Sequence, residues 1–225
     1  MNIMKKHISS FYIFVFVCVL FVPVAAFAYT SKTISATVTT VSVFFSEIWN
    51  GGGYTSWSNG IETLSPAVAT SPSETHSAFA LDNTVLKQPY RVTFTLNTLS
   101  QLRTGSAPNP WEVGWFVFGY KPDGKFKYLI LKPDGYGIEL GESLLNNAQN
   151  FLWTSPFGQS SFAVGQPHNV SVTVQNNTIT IVVDGKTYLT YKKTLKDVLD
   201  FNGRIGFYSE DALVQASNIK VTQLR

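Results

Sequence analysis

Between Tyr90 and Asn97 the chain alternates without a break. Tyr90, Val92, Phe94 and Leu96 fall on one side, and Arg91, Thr93, Thr95 and Asn97 on the other. A period of two sends successive side chains to opposite faces of a strand, so this stretch predicts a strand with one buried face. The pattern recurs at Val170, Val172 and Val174 against Ser171, Thr173 and Gln175, and after Asn176-Asn177 it returns over Ile179 to Val183. Asp184-Gly185 then predicts a tight hairpin into residues 186–191, because such turns need residues that tolerate positive φ. Further strands are predicted over Ile34 to Phe45, around Tyr54, Trp57 and Ile61, and over Phe79 to Leu81, Phe151 to Thr154, Phe162 to Val164, Arg204 to Ser209 and Ile219 to Leu224. Residues 65–76, rich in Ser, Thr and Pro, read as a loop, and helical structure is expected only as single turns within 143–150 and 194–200. Many short strands with turn residues between them predict an all-β sandwich.

One region departs from simple alternation. Residues 111–142 read as three strands, 113–120, 126–132 and 136–141, joined by Lys-Pro-Asp-Gly turns at 121–124 and 132–135. The first strand is apolar on both faces, with Phe116, Phe118 and Tyr120 on one and Val113, Trp115 and Val117 on the other. One set fills a core. The other needs a covering element or a ligand, and Trp111, Trp115, Tyr120, Tyr128 and Tyr136 concentrate there.

Composition sets the compartment. Lys5, Lys6 and His7 precede an apolar run at 11–22 and an Ala26-Phe27-Ala28 motif, the pattern of a cleaved secretory signal over residues 1–28, with an uncleaved anchor as the alternative that the length of the run leaves open. Residues 29–33 then form a short tether and 34–225 one domain, secreted or held at the cell surface. Cys18, the single cysteine, lies in the leader, so the mature domain is expected to fold without disulfides. The formal charge of +3 falls to +1 without Lys5 and Lys6, which leaves no basic stripe for nucleic acid. After cleavage no membrane segment is expected.

Candidate chemistry follows from the charged residues. His76 and His168, with no cysteine, do not meet a zinc ligand count or form a recognisable triad. Glu112, Glu139, Glu142, Glu210 and Asp211 are the candidate carboxylates for glycoside hydrolysis, which needs two. They are not arranged at alternate positions of one strand, and the ordinary alternative is ion pairing with Arg103, Lys132 or Arg204. Glu210 and Asp211 are adjacent hard-oxygen donors, so calcium is a candidate although no cofactor is required. Arg103, Glu112, Lys132 and Glu139 are placed to hydrogen-bond hydroxyls while Trp111, Trp115 and Tyr128 stack on apolar ring faces.

Four stretches carry a resemblance: SPSETHSA at 71–78, QLRTGSAPNPWEVGWFVFGY at 101–120, FKYLILKPDGYGIELG at 126–141 and GRIGFYSEDALVQASNIKV at 203–221. As a set they resemble secreted concanavalin-A-like lectin/glucanase (laminin-G-like) domains related to the 3-keto-disaccharide hydrolase group. The resemblance implies a jelly roll of two antiparallel sheets and points to Arg103, Trp111, Glu112, Tyr128, Lys132, Glu139, Glu210 and Asp211. The acidic run of the glucanases is missing here. The expectation is a non-catalytic module that grips a polysaccharide or other glycan. The alternatives are a glycan hydrolase using a carboxylate pair, and a structural cell-surface protein.

Overall fold

The computed structural model describes residues 39–225, the side chain of Asn147 excepted. The expected leader, the tether and the start of the first predicted strand lie outside the described residues. Among the described residues fifteen strands build two antiparallel sheets, with one 3-10 turn at Leu145–Asn147. In chain order the strands are β1 (Thr39–Val41), β2 (Phe45–Trp49), β3 (Tyr54–Ser58), β4 (Ile61–Ser65), β5 (Ser77–Asp82), β6 (Tyr90–Gln101), β7 (Gly114–Tyr120), β8 (Phe126–Lys132), β9 (Gly137–Ser143), β10 (Gln149–Thr154), β11 (His168–Gln175), β12 (Thr178–Val183), β13 (Lys186–Lys192), β14 (Arg204–Glu210) and β15 (Ala212–Gln223). The first sheet runs β13-β12-β11-β6-β15-β4-β3, with β1 also on β15; the second runs β10-β9-β8-β7-β14-β5-β2. This is an all-β jelly-roll sandwich.

The alternating positions meet between the sheets. Tyr90, Val92, Phe94 and Leu96 on β6 join Val170, Val172 and Val174 on β11, facing Phe116, Phe118, Leu129, Leu131 and Phe207 across the core. The Tyr90 hydroxyl, buried among these groups, donates to the carbonyl of Phe201 at 2.8 Å. That bond satisfies the polar tip that burial would otherwise strand.

Three departures from the sequence reading have local causes. Tyr120 does not share a face with Phe116 and Phe118. Gly119 takes φ +61° and the β7–β14 register slips there, so Tyr120 turns outward and packs 5.7 Å from Phe79. The predicted strand around Tyr54 to Ile61 is two strands, β3 and β4, folded back at Asn59-Gly60 with φ +52° and +77°. Phe162 to Val164 forms no strand; Phe162 instead drops its ring into the core.

The two Lys-Pro-Asp-Gly segments adopt different turns. In the first, Gly124 N–H donates back to Lys121 O at 2.9 Å, with Pro122 and Asp123 central. In the second the turn moves one residue along: Tyr136 N–H donates to Pro133 O at 3.0 Å, and Asp134 and Gly135 both take positive φ. The tighter second turn matches the twist of the β8–β9 hairpin and leaves Tyr136 standing at its end.

Candidate functional site

The second sheet carries a hydrophobic cluster on the face turned away from the core. Phe79 and Leu81 of β5, Val113, Trp115 and Val117 at β7, and Phe126, Tyr128 and Ile130 of β8 form it, with Tyr120 and Tyr208 packed alongside. Trp115 lies 4.8 Å from both Tyr128 and Tyr208, ring centre to ring centre. Most of the surplus rings are therefore closed against each other. Tyr128 is fully buried and Trp115 only 4 % exposed.

Near the β8–β9 turn this face opens into a cavity of about 570 Å³. Trp115 and Ile130 reach it from the cluster, and Trp111, Tyr136 and Phe151 line it as well. These last three rings are open, at 46 %, 43 % and 60 % exposure. The polar lining is Lys132, Glu139, Gln149 and Glu210. Local geometry explains each placement. Trp111 sits in the turn before β7, where its carbonyl accepts from Val113 N–H at 2.9 Å and from the Trp115 indole at 2.9 Å. Phe151 stands opposite Gly141, next to a register slip in the β9–β10 pairing, and Tyr136 is buttressed edge-on by Phe157 at 5.2 Å.

Two carboxyl groups face this space in different surroundings. Glu139 Oε2 lies 2.7 Å from Lys132 Nζ, and Glu139 Oε1 accepts from the Tyr128 hydroxyl at 3.2 Å. The Tyr128 phenol is pushed up from its ordinary range by burial, with the Glu139 charge adding to the effect. Glu210 has no ion-pair partner among the described residues. Burial pushes its carboxyl up to about 7, the neighbouring Asp211 and Glu112 reinforce the shift, and Arg103 opposes it.

Arg103 and Glu112, expected to meet hydroxyls, are instead buried and joined to each other. Arg103 Nε donates to Glu112 Oε1 at 2.7 Å, and its Nη2 donates to Asp211 Oδ2 at 2.9 Å. The same guanidinium holds the carbonyls of Ser71 at 2.6 Å and Glu74 at 2.9 Å, fastening the 66–76 loop. Asp211 also accepts from His76 N–H at 2.7 Å. The ion pairing weighed from the sequence is thus present for Arg103–Glu112 and Lys132–Glu139. Of the eight expected site residues, Trp111, Trp115, Lys132, Glu139 and Glu210 line the cavity, Tyr128 supports it from below, and Arg103 and Glu112 brace the loops behind it. Tyr136 was among the clustered aromatics, but Phe151 had no signal beyond a ring on a short strand. Among the described residues no three His, Cys, Asp or Glu side chains gather to hold a metal ion.

A second buried network was not read from the sequence. Lys127 points inward, fully buried, with Nζ 2.6 Å from Glu142 Oε1 and 2.9 Å from Asp197 Oδ1. Burial alone would raise the Glu142 carboxyl, but Lys127, the N–H groups of Leu199 and Val198, and Asn150 together hold it below its ordinary value.

Solved structures share this fold. The chain is similar to the carbohydrate-binding module CBM66 from Bacillus subtilis, with a TM-score of 0.52 and 12 % identity over 82 % of this chain and 94 % of that one. It is likewise similar to a prokaryotic β-1,3-1,4-glucanase (lichenase) derived from a mouse hindgut metagenome, with a TM-score of 0.51 and 15 % identity over 81 % and 93 %. A functionally unknown protein from Saccharomyces cerevisiae matches at 0.50 and 12 % identity, over 81 % and 97 %. No protein-family model matches the chain, and no curated protein matches it in sequence. These likenesses, at 12–15 % identity, show the fold: a jelly-roll β-sandwich.

Proposed function

We propose that this protein binds a glycan, outside the cell, in the cavity bounded by Trp111, Tyr136 and Phe151. The observation that carries the reading is the juxtaposition of three exposed rings with four polar side chains around one opening of about 570 Å³. Sugar rings present apolar C–H faces that suit Trp, Tyr and Phe, and hydroxyls that suit Lys132, Glu139, Gln149 and Glu210. Lys132 and Glu139 fix each other's position, so their remaining donors and acceptors are already oriented when a ligand arrives. Stacking contacts of this kind contribute about 1 kcal/mol each, so one domain binds weakly and gains strength through multivalency. The leader expected over residues 1–28 would deliver the domain to where polysaccharides are met. A glycan array probed with the protein, with and without Ca²⁺, tests the reading: binding that is lost in Trp111→Ala supports it, and silence across the array removes it.

One observation favours a second reading, glycan hydrolysis: Glu139 and Glu210 line the same cavity, and hydrolysis uses two carboxyl groups in unlike environments. Against it, Glu139 is engaged by Lys132 and Tyr128. Release of reducing ends from a bound polysaccharide, abolished in Glu210→Gln, would establish it.

A further inference from the structure

A second cavity, of about 330 Å³, opens at the other end of β7 and β14. The strand register places it: Tyr208 pairs with Trp115 toward the first cavity, and Arg204 pairs with Tyr120 at the second. Glu210 and Arg204 lie at opposite ends of one strand, about 20 Å apart at the usual rise per residue. Tyr120 belongs to the same outward-facing cluster as Trp115, so both cavities open on one face of the sheet.

Their charge differs. Lys87, Lys121 and Arg204 converge on the second cavity beside the Tyr120 ring. Of the nearby acids, Asp200 is matched with Lys121 at 2.7 Å and Asp123 with Lys125 at 2.8 Å, while the Asp82 carboxylate is turned to the N–H groups of Phe44 at 2.7 Å and Thr84 at 2.8 Å. Arg204 is held by neutral acceptors: Nε donates to the Asp82 carbonyl at 2.6 Å and Nη2 to Asn83 Oδ1 at 2.9 Å. Those bonds orient the guanidinium, 5.9 Å from the centre of the Tyr120 ring, without cancelling its charge. Lys87 is exposed and has no ion-pair partner among the described residues. Two cations, Lys87 and Arg204, therefore stand next to a ring without an ion-pair partner among the described residues.

We propose that this second cavity is a subsite for an anionic sugar residue, one bearing a carboxylate or a sulfate group, and that the glycan is an acidic polysaccharide lying along β7 and β14. The inference rests on the glycan-binding reading and narrows its ligand class. A planar guanidinium with fixed orientation matches the oxygens of either anion, while Tyr120 offers a face for the sugar that carries them. At the first cavity Lys132 is paired with Glu139 and Glu210 adds a carboxyl, so the anionic group is directed to the Arg204 end. The arrangement fixes the direction of the bound chain.

Titration calorimetry with size-matched oligosaccharides, one neutral, one a polyuronate and one sulfated, tests this on the wild type, Lys87→Gln, Arg204→Gln and Trp111→Ala. The expected result is that at least one acidic ligand binds about tenfold more tightly than the neutral one, equivalent to about 1.4 kcal/mol. Lys87→Gln, which breaks no side-chain hydrogen bond or ion pair among the described residues, should remove several-fold of that preference by weakening the acidic ligands more than the neutral one; Arg204→Gln should remove more. Added salt should weaken the acidic ligands alone. Whichever acidic ligand responds to Lys87→Gln identifies the anion. Equal affinity for all three ligands, unchanged by Lys87→Gln and Arg204→Gln but lost in Trp111→Ala, overturns the anionic subsite and leaves glycan binding standing. Failure of every oligosaccharide to bind overturns both.

Discussion

The ring of Tyr128 lies directly over Gly141, its cross-strand partner, where any Cβ would overlap the phenol. That close approach keeps the Tyr128 hydroxyl beneath Glu139 and so holds the carboxyl on the wall of the cavity. Packing inside the sheet and the polar geometry of the site are one arrangement.

Gly141→Ala is therefore expected to destabilise the protein by about 1–3 kcal/mol, the usual range for forcing volume into a filled core. Denaturant unfolding reads the loss of stability. The same variant should bind glycan more weakly, because Glu139 loses its support.

The Arg103 guanidinium ties Glu112, Asp211 and the carbonyls of Ser71 and Glu74 into one buried knot. Removing it leaves two carboxylates buried without their cation. Arg103→Ala should cost about 3–5 kcal/mol of stability, measured by chemical denaturation. Limited proteolysis should cut first in the released 66–76 loop.

Glu62 supplies a pH signature. It is 1 % exposed, Glu62 Oε2 has no hydrogen-bond partner among the described residues, and burial together with Glu47 pushes its carboxyl up to about 7. A raised carboxyl favours folding below the unfolded value near 4.5, and that contribution is lost as pH rises toward 7. Glu62→Gln should therefore stabilise the protein by about 2 kcal/mol at pH 8 and by little at pH 4, read from unfolding curves at the two values.

Glu210 gives the corresponding signature in binding. A ligand over the cavity strips more water from a carboxyl already raised to about 7, which favours its protonated form. Glycan affinity should fall as pH rises from 6 to 8 in the wild type and stay flat in Glu210→Gln. Calorimetric titrations at three pH values decide it.

The strands were legible wherever one face is wet. Tyr90 to Leu96 and Val170 to Val174 alternate because only one side is buried, and Asp184-Gly185 marks its turn by backbone chemistry alone. What alternation cannot convey is a bulge: Gly119 reverses the facing of Tyr120, and nothing in the local pattern announces it. The candidate cavity was legible in part for the same reason. Trp111, Trp115, Lys132, Glu139 and Glu210 converge through strand pairing, which sequence proximity partly reflects within the β7–β8–β9 meander. Arg103 and Glu112 have the residue types of a sugar site, yet whether such a pair faces solvent or seals a loop depends on contacts with Ser71, Glu74 and Asp211, distant in the chain. Phe151 enters from β10 only because that strand adds to the sheet edge beside Gly141.

Glycan binding in this cavity stands or falls with the three open rings, Trp111, Tyr136 and Phe151. Titration of the wild type, Trp111→Ala and Phe151→Ala with the best oligosaccharide from the array measures it most directly. Each substitution removes about 1 kcal/mol of stacking, so affinity should fall about fivefold or more in each variant, with thermal unfolding unchanged because both rings are exposed. Affinity equal to wild type in both variants would contradict the account.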